Sequence, residues 1–166
     1  MTKILRAFCL LAVTAAFSAT SYAEEESGHH LPHNHIALLA GIAYEETDDG
    51  HHEDGHVVGV EYIRQFSEHW GWGVGFESEV FGNEQKRHGV LAFPISYFPG
   101  NRWRLFAAPG IEFRESGEPD KAMFRLGAGY EFELGEHFTL APEAQVDFIA
   151  GGTKVYVIAL ALGYGF

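Results

Sequence analysis

Ten histidines fall in this chain, and most are gathered into two short stretches rich in potential ligands. His29, His30, His33 and His35 make one stretch; His51, His52 and His56 make the other, among Asp48, Asp49, Glu53 and Asp54. Neutral imidazole beside carboxylate is a ligand set for zinc, nickel or copper(II), and a flexible segment can bring several such groups around one ion. His88 is a further candidate ligand for the second stretch. The spacing is neither that of a zinc finger nor the His-Glu-x-x-His of a metalloprotease, so the chemistry it supports is binding and not metal catalysis. The competing reading is a set of solvated loop histidines that gain charge at mildly acid pH. Nucleophilic chemistry has less to draw on. Ser67 and His69 flank Glu68 in an expected turn, and adjacency in sequence does not orient a base towards a nucleophile.

The elements that must position these groups are strands. In the last one, Tyr156, Ile158, Leu160, Leu162, Tyr164 and Phe166 alternate with the smaller Val155, Val157, Ala159, Ala161, Gly163 and Gly165. Such a strand has a bulky face and a small face, and neither is polar. A bulky face turned to lipid and a small face turned into a narrow lumen account for both. An alternating last strand that ends on Phe166, with Tyr164 two before it, resembles the C-terminal assembly signal of bacterial outer-membrane β-barrels.

The start of the chain agrees with that. Lys3 and Arg6 precede an apolar run from Ala7 to Phe17, and Ser21-Tyr22-Ala23 reads as a cleavage site, so residues 1–23 are expected to be a signal peptide. The run is too short for a spanning helix, which needs about 20 apolar residues. Cys9 lies inside it without the small residues that precede a lipoprotein cysteine, and the mature chain of 143 residues (166 minus 23) holds no cysteine. Removing Lys3 and Arg6 takes the formal charge from −12 to −14, which disfavours nucleic acid as a partner. Lipopolysaccharide would be met through divalent cations or exposed bases such as Lys86 and Arg87.

The mature chain divides into a His-rich segment, 24–35, and eight two-faced runs within 36–166: 36–46, 56–66, 71–81, 88–98, 103–114, 123–134, 138–149 and 154–166. The connections alternate between tight polar turns flanked by aromatics, at 66–70, 98–103 and 134–138, and more charged ones at 46–55, 81–88, 115–122 and 150–153. With both ends on the side of the short turns, the pattern resembles the small eight-stranded OmpA/OmpX-type barrels over nearly all of the mature chain. The resemblance implies an all-β, antiparallel, up-and-down transmembrane barrel in the outer membrane of a Gram-negative bacterium, monomeric, delivered to the barrel-assembly machinery by its last strand. It places the first histidine stretch in the periplasm, where His69 and His137 could join it. The second would be extracellular with His88 nearby, so the two could not share one ion.

An eight-stranded barrel is about wide enough for its own side chains. The positions expected to face inward include Glu45, Glu61, Glu77, Glu79, Glu112, Glu131, Glu133, Glu143 and Asp147, opposed by Arg104, Arg114 and Arg125. A cation-attracting lumen and a structural ion-pair network are the two readings, and the arginines favour the network because they relieve the cost of burying charge. Lipid A deacylase barrels would require a His-x-Ser pair, which is absent, and a palmitoyltransferase type would need an apolar lumen. The function expected is non-enzymatic: a structural, adhesive or envelope-stress role through extracellular loops. Metal binding through the histidines is the alternative, and lipid A modification a third.

Overall fold

The computed structural model describes residues 33–82, 86–114 and 119–166, and their regular structure is all β. The expected signal peptide, His29 and His30 lie outside those residues. The strands are β1 (Asn34–Glu46), β2 (His52–Gln65), β3 (Trp70–Phe81), β4 (Lys86–Ala92), β5 (Ile95–Gly100), β6 (Trp103–Arg114), β7 (Lys121–Tyr130), β8 (Phe132–Glu133), β9 (Phe138–Ile149) and β10 (Lys154–Gly165). All pairings are antiparallel, and β10 pairs with both β9 and β1, which closes the sheet.

Ten segments make eight staves. Gly75 pairs with Ala92 and Trp72 with Ile95, so β5 continues β4 in unbroken register. The gap between them is the work of two prolines. Phe93 N–H donates to Pro109 O at 2.9 Å and Gly73 N–H to Pro94 O at 2.8 Å, but neither proline has an N–H to return the bond. In the same way β8 continues β7, with Gly129 opposite Glu143 and Phe132 opposite Leu140. The residue facing Tyr130 in that gap is Pro142.

The register fixes the shape. Following paired residues once round the barrel from Trp70 leads through Tyr97, Leu105, Ala128, Ala144, Ile158, Ile42 and His56 to Val80, ten residues further along β3. Eight staves with that stagger require a strand tilt of roughly 43° and a backbone radius of about 8 Å. So narrow a tube is filled by side chains.

Which side chains fill it follows from alternation. Along β10, Val155, Val157, Ala159 and Ala161 are buried while Tyr156, Ile158, Leu160 and Leu162 are exposed. Leu38, Ile42, Phe76, Leu105, Phe124 and Leu126 continue the exposed apolar belt around the barrel. A belt of this extent is a lipid-facing surface. At the turn end it is bounded by contacting rings, Trp70 with Tyr97 at 4.9 Å, Trp103 with Tyr130 at 5.2 Å and Phe138 with Tyr164 at 5.1 Å. Inside, glycines make room for large neighbours: a Cβ on Gly127 would collide with the Phe106 ring, and one on Gly163 with the His35 imidazole.

Several strand bounds differ from the sequence expectation. β1 begins at Asn34 and takes His35 into the wall. β2 begins at His52, which shortens the first loop to 47–51, because pairing with β1 carries the strand above the apolar belt. β4 begins at Lys86, two residues before the expected run, and β7 at Lys121, two before its own.

Candidate functional site

Polar chemistry inside the barrel is arranged in two storeys, each built on an arginine. In the half nearer the turns, Arg104 on β6 grips Glu61 of β2 from across the lumen, Nη1 to Oε2 and Nη2 to Oε1 both at 2.7 Å. Its Nη1 also donates to Glu143 Oε1 at 3.3 Å and its Nε to Ser96 Oγ at 3.1 Å, while the guanidinium lies 4.5 Å from the Phe106 ring centre. Paired guanidinium and carboxylate forks are the strongest polar contacts that side chains make.

In the half nearer the loops, Arg125 on β7 donates to both oxygens of Asp147, each at 2.7 Å. It also forks onto Glu77 of β3, Nη2 to Oε2 at 2.9 Å and Nη1 to Oε1. β3 and β7 are not neighbours, so this clamp too spans the lumen. Gln145 Nε2 joins it, 3.4 Å from Glu77 Oε2. Closer to the loops, Arg114 Nε donates to Glu112 Oε1 at 2.6 Å, His88 Nδ1 stands 3.2 Å from the same oxygen, and Arg114 lies 3.9 Å from Glu45. Of the other expected inward carboxylates, Glu79 and Glu131 are buried as well, and one is not. Glu133 is exposed at the turn-end rim, 3.9 Å from Arg102, because it is the last residue of β8 and the strand ends there.

The histidines are dispersed. His33 is exposed beside β1, whereas His35 turns inward and its Nε2 lies 3.0 Å from Thr139 Oγ1. His51 pairs with Glu53 at 3.0 Å. His52 stacks on Tyr44 on the outer face, ring centres 5.5 Å apart, and His56 is exposed on that face four residues further along, a separation of about 13 Å in a strand. His88, expected near the extracellular loop, is buried in the lumen against Phe81. Among the described residues no three His, Cys, Asp or Glu side chains converge to hold a metal ion. Ser67 Oγ accepts the Trp70 N–H at 3.1 Å and His69 stacks on Tyr97, so that hydroxyl caps a turn.

The first loop is a compact turn. Asp49 accepts from the Thr47 hydroxyl and from the His51 N–H, the latter at 3.3 Å. These donors favour the ionised carboxylate and hold its pKa below the usual aspartate value. The β9–β10 turn approaches the same loop, since a Cβ on Gly152 would meet the Asp48 carboxylate.

No family model and no curated protein matches the chain in sequence. Solved structures do match in fold. Neisserial surface protein A superposes with a TM-score of 0.62 at 9% identity over 84% of this chain and 98% of its own. Ail, the attachment invasion locus protein of Yersinia pestis, gives 0.54 at 15% over 81% and 98%. The outer membrane protein OprG of Pseudomonas aeruginosa gives 0.53 at 13% over 85% and 100%. At these identities the likeness is one of fold, and it agrees with the closed register, the apolar belt and the ring girdle. The chain has the fold of the small eight-stranded bacterial outer-membrane β-barrels.

Proposed function

We propose that this protein is a closed, non-enzymatic barrel of a Gram-negative outer membrane, with a structural, adhesive or envelope-stress role carried by its loop end. One observation carries the reading: both arginine clamps cross the lumen and fill it with charge-paired side chains, which leaves the loops as the surface free to meet a partner. In this reading the turn end faces the periplasm, β10 is the segment handed to the assembly machinery, lipid and lipopolysaccharide surround a monomer, and no lumenal path admits solutes. Exchange of 47–51, 82–85, 115–120 and 150–153 for short Asn-Gly turns tests it. The exchanged barrel should keep its heat-dependent gel mobility and lose the attachment of expressing cells to host or abiotic surfaces. Neither form should swell liposomes in sugar solutions or change the mass of lipid A. Swelling by the parent protein would show an open lumen and sink the reading.

A further inference from the structure

Two buried carboxylate oxygens in the loop half of the lumen meet no hydrogen-bond donor. They are Oε1 of Glu79 and Oε2 of Glu112, and each of these residues is 1% exposed. A carboxylate can only accept, so both oxygens call for a donor or a cation. The surrounding charge calls for a cation. Glu45, Glu77, Glu79, Glu112 and Asp147 share this half with Arg114, Arg125 and His88, whose Nδ1 stands 3.2 Å from the Glu112 oxygen that Arg114 already holds, so acids outnumber bases even with the imidazole charged. Arg125 is committed to Glu77 and Asp147, and Arg114 to Glu112 and Glu45. Lys121 does not make up the difference, since its ammonium lies beside Gly151 in the β9–β10 turn.

We propose that Glu79 and Glu112 hold a hydrated divalent cation of the magnesium or calcium type. The donor atoms are hard oxygens, which such ions prefer, and two carboxylates with retained water are a sufficient ligand set. A dry tetrahedral zinc site would need more converging ligands than these strands supply. Apolar walls reinforce the attraction. Phe81 and Val90 are fully buried beside the site, and a charge pair in such surroundings is screened far less than one in water. The inference stands apart from the proposed role of the loops.

The test uses the full mature chain, stripped of metal with EDTA and folded in zwitterionic detergent with and without manganese, whose electron paramagnetic resonance reports bound ion. We expect one manganese per barrel, displaced by magnesium or calcium, with affinity at least tenfold weaker in Glu79→Gln and unchanged in Glu68→Gln, which alters only an exposed turn. Heat-dependent gel mobility shows that each variant is folded, and if Glu79→Gln does not fold, Glu112→Gln is read in its place. Absence of retained manganese in the parent, or equal retention by the Gln variant, overturns the proposal. In that event Glu79 carries a proton or a water in place of the metal.

Discussion

Arg104 and Arg125 sit in opposite halves of one lumen, and each grips one carboxylate carried by a strand across it, Glu61 on β2 and Glu77 on β3. Around Arg104 the Glu61 side chain keeps 17% of its surface exposed, so water still reaches the pair. Around Arg125 the Glu77 and Asp147 side chains keep 5% and 1%. The same ion-pair chemistry is therefore screened in one storey and sealed in the other. An ion pair loses little when a hydrated partner is stranded and much when a dry one is. The sealed storey is also the one with acid to spare.

The largest expected effect is on the sealed clamp. Arg125→Leu strands Glu77 and Asp147 and should destabilise the barrel by about 3–5 kcal/mol, read as the urea midpoint of tryptophan fluorescence in lipid vesicles. Arg104→Leu should cost about 2–3 kcal/mol by the same assay, because Glu61 can recover hydration. If the two costs were equal, the contrast between the storeys would be gone. Gly127→Val probes the packing that lets Phe106 lie under Arg104, and overfilling there should cost about 1–3 kcal/mol. Glu79→Gln measured in EDTA should instead raise stability by about 1–2 kcal/mol, since it removes an unpaired buried acceptor charge.

The smallest effect is in the first loop. The folded pKa of Asp49 lies below its unfolded value, so its contribution is complete above the ordinary aspartate range and is lost as pH falls through the lowered value. Amide shifts of Thr47 and His51 should titrate together, with a midpoint below that of an unstructured aspartate. A midpoint at the ordinary value would mean that the turn does not hold the carboxylate.

Much of this could be read before any coordinates. The strict alternation of β10, and of Leu105, Ile111 and Phe113 against Arg104, Glu112 and Arg114, has one physical solution in a narrow barrel, because the side-chain period is two and the two faces meet different solvents. The upper part of β2 was not legible as strand. His52 and Asp54 are polar on the outer face, and only their pairing with Glu46 and Tyr44 reveals them as wall rather than loop. Partner choice inside the lumen was hidden for a geometric reason: a stagger of ten residues decides which glutamate rises to the height of which arginine, and no local pattern carries that information. Alternation alone places Glu79 among the inward acids, but its lack of a donor emerges only once Arg125 and Arg114 are assigned.

The seam between β1 and β10 is unlike every other pairing. His35 meets Gly165, and Asn34 and Phe166 exchange backbone bonds of 3.2 and 2.9 Å, whereas the remaining ladders join neighbouring staves. Those ladders can grow from local hairpins within microseconds, but the seam must bring together the two most distant strands. Until it closes, the curled sheet carries two bare edges, and a hydrocarbon surrounding offers them nothing to bond. Membrane entry and circular closure are thus one event, and its clock runs at the seam.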